Sequence, residues 1–129
     1  MDELEDSSEK SDWSEVDSLL EESRRRQENR LRQNLEDIEK QIQERHRVSE
    51  KYIEILEERI SVHDNRLDKA GTVNRPFEQE VLAILEDLYE SLRGEMREKW
   101  RDIQELEQEK REIEKELDEL KDAELLDSL

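Results

Sequence analysis

The sequence predicts an all-α protein: a long antiparallel helical hairpin of coiled-coil type that dimerises into a four-helix bundle, with a short amphipathic helical segment at its N-terminal end. Three observations point there. Of 129 residues, 48% are charged and only 31% hydrophobic, too little apolar material for a layered globular core. Two glycines, one proline and five aromatics leave nothing for the turns and strands of a sandwich or barrel. The apolar residues that remain recur at steps of three and four over two long stretches, which is the period of a helix face.

Residues 1–11 open on an acidic run followed by serines and read as a disordered acidic arm. A helix start follows at Asp12, with Glu15 at capping-box spacing, and Trp13, Val16, Leu19 and Leu20 form a short amphipathic patch. Residues 21–30 are wholly polar but contain no breaker, so the segment 12–30 is expected to continue into the first long helix.

That first helix is placed at 31–70. Its seam runs Leu31, Leu35, Ile38, Ile42, His46, Ser49, Ile53, Leu56, Ile60, His63, Leu67 and Ala70, with a stutter at Ile42 to His46 where two steps of four follow each other. The breakers then cluster: Gly71 and Pro76 bracket a turn at 71–75, with Lys69 suited to the negative end of the helix dipole. Asn74 can cap the next helix, Pro76 fits its first turn, and Glu78 and Glu80 suit its positive end.

The second helix is placed at 76–122, followed by a flexible tail at 123–129. Its seam reads Val81, Leu85, Leu88, Leu92, Met96, Lys99, Ile103, Leu106, Lys110, Ile113, Leu117 and Leu120, with a second stutter at Leu92 to Met96. Phe77, Leu82, Ile84, Tyr89 and Trp100 widen the apolar face beyond one seam, and a face that wide normally touches more than one neighbour. The first four of these are the expected dimer surface.

Folding the chain antiparallel about residue 73 sets residues opposite one another when their numbers sum to about 146. Tyr52 then falls opposite Gly94, His63 opposite Ala83 and Trp100 opposite His46. Arg24, Arg25, Arg26, Arg30 and Arg32 fall opposite an acidic stretch at 114–122. Such exposed pairs are worth only about 0–1 kcal/mol each, so they select register more than they add stability. With roughly 45 residues per arm, the hairpin would be about 65–70 Å long.

The net charge is −18, and it is unevenly spread. Residues 1–22 hold ten acids and one lysine, 23–75 hold eleven acids and 13 bases, and 76–129 hold 19 acids and eight bases. A surface so acidic repels nucleic acid and anionic membranes unless its cations gather on one face.

Catalytic chemistry finds no foothold. Zero cysteines exclude thiol catalysis, disulfides and cysteine–zinc sites. The residues three before His46 and His63 are Gln43 and Ile60, so the Glu-x-x-His of a di-iron bundle is absent. The serines lack a nucleophile elbow, and residues 64–71 lack the ligand order of an EF-hand. No metal, cofactor or enzymatic activity is expected.

A non-enzymatic interaction or assembly protein is the expected function. The hairpin supplies a stiff spacer and homodimer contact, and the patch of Trp13, Val16, Leu19 and Leu20 docks a protein partner. The alternative is a nucleic-acid-associated regulator using Arg24, Arg25, Arg26, Arg30 and Arg32 as phosphate contacts, or an acidic mimic of DNA that fills a basic groove. The facing acids and the lack of interleaved aromatics weigh against phosphate binding. The acidity also fits adaptation to high salt. No apolar run approaches the ~18 residues of a membrane span, and the acidic N-terminus is unlike a signal peptide; a soluble, cytoplasmic protein is expected.

Overall fold

The computed structural model describes the backbone of residues 2–70 and 75–128 and the side chains of residues 13–69 and 76–126. Helix α1 spans Asp2–Ala70 and helix α2 spans Arg75–Ser128, and the two pack against each other as a hairpin. Among the described residues there is no strand. No described helix is long and apolar enough to cross a membrane.

Helix α1 is continuous because nothing in its sequence stops it: it holds no proline or glycine, and Lys69 meets the dipole in its last turn. The helix start read at Asp12 and Glu15 therefore lies inside α1. From Asp2 onward the stretch expected as a disordered arm at 1–11 is backbone of α1, with the side chains of residues 1–12 outside the described residues; of the turn expected at 71–75, residues 71–74 lie outside them and Arg75 opens α2. Pro76 and Glu78 stand in the first turn of α2, where proline loses no hydrogen bond and an acid meets the positive dipole end. Beyond residue 122 the helix runs on through Ala123, Glu124, Leu125 and Leu126 to Ser128.

The chain divides into two compact units, one of residues 1–39 with 109–129 and one of residues 40–108. In the first unit, Leu31, Ile38 and Leu117 are buried, with Leu35, Ile113 and Leu120 half-buried beside them. Lys110 of α2 lies 3.8 Å from Glu39 of α1. In the second unit, Ile60, Val81 and Leu85 form a buried cluster against which Leu67, Phe77, Leu88 and Leu92 pack. Leu56 and Ser49 are also buried there. Fully burying an aliphatic side chain contributes about 1.5–3 kcal/mol, so few such residues carry most of the hydrophobic stabilisation.

The seam of α1 is the one its spacing predicts, since every position from Leu31 to Leu67 in that series is buried or half-buried. The seam of α2 departs at one point. Met96 is 49% exposed, while Glu95 turns inward and is half-buried. The inward positions therefore step from Leu92 by three to Glu95, by four to Lys99 and by four again to Ile103, so the stutter falls at Lys99 and not between Leu92 and Met96. Its physical cause is an ion pair across the hairpin, described below.

Observed cross-helix contacts fit the antiparallel register. Arg45 meets Glu95 and Asp102, with numbers summing to 140 and 147. The Arg66 guanidinium stands 5.4 Å from the centre of the Phe77 ring, at a sum of 143, a cation–π contact.

Two pairings expected at matching levels bring little burial. Trp100, level with His46, is 68% exposed. A Cβ added to Gly94 would meet nothing within 4 Å, so no Tyr52 ring presses on that glycine. Gly94 then costs the helix its backbone entropy without a packing return. Gly94→Ala is expected to raise stability by about 0.5–1 kcal/mol, read as a higher unfolding midpoint; a lower midpoint would show that the position has a steric partner.

Candidate functional site

Two kinds of feature stand out from the ordinary seam: a polar cluster inside the second unit, and apolar side chains that the hairpin leaves in solvent.

The cluster centres on Arg45, whose side chain is 19% exposed. Its Nη1 donates to Glu95 Oε1 at 2.7 Å and its Nε to Asp102 Oδ2 at 2.9 Å. These charge-assisted bonds, with Glu95 first, hold the guanidinium above its ordinary pKa. Arg45 immediately precedes His46 at the α1 stutter, where two adjacent positions share the inward face, and both are half-buried. Spacing alone marked His46 and missed Arg45; the available signal was an Arg at a widened seam with Glu95 and Asp102 near its level.

Ser49, one turn beyond Arg45, is fully buried and its hydroxyl has no hydrogen-bond partner. An orphaned buried hydroxyl costs about 1–3 kcal/mol. On the exposed side of α1, Arg47 donates to Glu44. That bond holds the Glu44 carboxyl below its usual range. The small stabilisation it gives is therefore present above the unfolded-state pKa and is lost as pH falls through the lowered one.

The proposed docking residues are all in solvent, with Trp13 70% exposed and Val16, Leu19 and Leu20 about half exposed or more. Leu20 lines a surface groove of ≈ 790 Å³ together with Arg24, Arg25 and Glu28 of α1 and Glu124 of α2. Of the arginines assigned to the cross-helix register, Arg26 bonds Glu22 at 2.7 Å and Arg32 bonds Glu28 at 2.7 Å, both one turn back on their own helix. Local carboxylates at i−4 reach these guanidiniums first, which the cross-helix pairing with 114–122 did not consider.

The expected dimer residues separate into two groups. Phe77 packs against the Ile60–Val81–Leu85 cluster and Ile84 is half-buried. Leu82 and Tyr89 are exposed. Seven residues beyond Tyr89 comes Met96, and four further comes Trp100, so these four share one stripe of α2. A second stripe of exposed residues runs along α1 through Val48, Tyr52, Ile55 and Val62. Arg45 lies on the Tyr52 side of α1, seven residues before it, and reaches Glu95 and Asp102 on the flank of α2 away from Tyr89 and Met96. The two stripes therefore open on opposite faces of the second unit.

Among the described residues, no group of three or more His, Cys, Asp or Glu side chains is placed to hold a metal ion. No curated protein and no solved structure matches the chain. A family description matches it from end to end, over residues 1–129, and the chain belongs to that family of unknown function (DUF8104).

Proposed function

We propose that the protein is a non-enzymatic interaction or assembly protein, in which a coiled-coil hairpin acts as a stiff spacer, self-associates as a homodimer, and presents an acidic N-terminal helix segment to a protein partner. The observation that carries this reading is where the apolar residues lie. A chain so poor in them leaves Trp13, Leu19 and Leu20 in solvent at one site, although their transfer from water would be worth about 1.5–3 kcal/mol apiece. Spaced on one helix face and set among Glu15, Asp17, Glu21 and Glu22, they match the anchors of a helix that lies in a basic-rimmed groove. Phosphate recognition is the weaker reading, since Arg26 and Arg32 already hold carboxylates.

The test uses the full chain as bait in extracts of its own cells. A partner retained by the parent chain is expected to be lost from a Trp13→Ala/Leu19→Ala/Leu20→Ala variant whose helicity by circular dichroism is unchanged. Retention of the same partner by that variant would contradict the docking role.

A further inference from the structure

We infer that the exposed stripe of α2, through Leu82, Tyr89, Met96 and Trp100, is the contact between two copies of this chain, and that the two α2 helices meet antiparallel across it. This inference rests on the homodimer reading above and gives it a surface and an orientation. It removes Phe77 and Ile84 from the interface, because they serve the hairpin's own core.

Charge selects the occupant. Residues 76–92 carry five acids and no base, whereas residues 93–101 carry four bases and two acids. Such a helix is complementary to itself only when turned end for end. Pairing residues whose numbers sum to about 182 sets Leu82 against Trp100 of the second copy, Tyr89 against Arg93, and Glu86 close to Arg97. A surface hollow of ≈ 420 Å³ lined by Met96, Arg97, Trp100 and Arg101 lies at the level where Leu82 of the second copy arrives. The Tyr89–Arg93 contact places a guanidinium on an aromatic ring. A parallel arrangement would instead put Arg97 on Arg97 and Glu86 on Glu86. A two-fold antiparallel contact is also closed, so it ends at a dimer.

The stripe on the opposite face is less suited to a second copy. Two of the cations near it are already engaged, Arg45 by Glu95 and Asp102 and Arg47 by Glu44. Tyr52 is its one aromatic ring, against Tyr89 and Trp100 on the α2 stripe.

Because the chain has no cysteine, single cysteines report orientation cleanly. Full chains carrying Glu86→Cys and Arg97→Cys are oxidised separately and mixed. The antiparallel contact predicts a disulfide dimer in the mixture and little in either sample alone; self-linking of each variant alone, or no link in the mixture, overturns it. In parallel, sedimentation equilibrium of Leu82→Glu/Trp100→Glu should show the dimer dissociation constant raised roughly a hundredfold or more, while Val48→Glu/Ile55→Glu leaves it unchanged. Circular dichroism checks that each variant stays helical. A dimer that survives the first pair, or is lost with the second, overturns the α2 surface but leaves the homodimer reading standing. A parent chain that stays monomeric overturns both.

Discussion

Replacing Arg45 with alanine should destabilise the hairpin by about 2 kcal/mol, measured by urea unfolding of the full chain. The loss comes less from the missing attraction than from what stays behind. The Glu95 side chain is only 12% exposed, and without Arg45 its carboxylate keeps its desolvation cost with nothing to offset it. The effect falls below the 3–5 kcal/mol typical of a fully buried pair because Asp102 is 46% exposed and water screens it. Changing both charged residues to apolar ones of similar size, Arg45→Met with Glu95→Leu, should recover most of the loss. If Arg45→Ala proved neutral, the cluster would be a surface ion pair in effect and could not be what turns Glu95 inward in place of Met96.

Leu85→Ala should cost about 3 kcal/mol, a fall of roughly 10 °C in the unfolding midpoint, because Leu85 is buried in the Ile60–Val81 cluster. Met96→Ala, at a position that sequence spacing puts on the same seam, should change stability by less than about 0.5 kcal/mol. Both are best measured in the Leu82→Glu/Trp100→Glu background, so that association does not enter. Equal losses at the two positions would return Met96 to the seam.

These two residues show what was legible in the sequence. Periodicity identified almost the whole seam because burial follows the 3.6-residue turn, a local property written directly in the order of apolar residues. The hairpin was legible for the same reason: its breakers cluster in one place and the stretches either side hold few.

Met96 was misplaced because spacing treats charged residues as surface by default, and cannot see that Arg45 makes it favourable to turn Glu95 inward. The level rule failed differently. Numbers summing to about 146 give the height at which two residues face, but not the side of each helix they occupy. Trp100 shares a level with His46 and yet keeps most of its ring in solvent. At Arg26 and Arg32, two of the five arginines in the 24–32 stretch, helical neighbours at i−4 hold the guanidiniums in competition with the facing helix.

The candidate surfaces were legible only in part. The N-terminal patch was evident as apolar residues among acids, and the structure places those side chains in solvent. The α2 stripe was half seen through Leu82 and Tyr89. Spacing also puts Trp100 outside the seam but counts Met96 within it, and only burial brings Met96 out to join the other three.

The central claim is that the apolar residues the hairpin does not bury exist to contact other chains, beginning with a second copy. Sedimentation equilibrium of the full chain over a wide concentration range tests it most directly. A species of about 31 kDa is expected, twice the 15.7 kDa chain, persisting as salt is raised because its contact is largely apolar. A single 15.7 kDa species at the highest concentrations would contradict it.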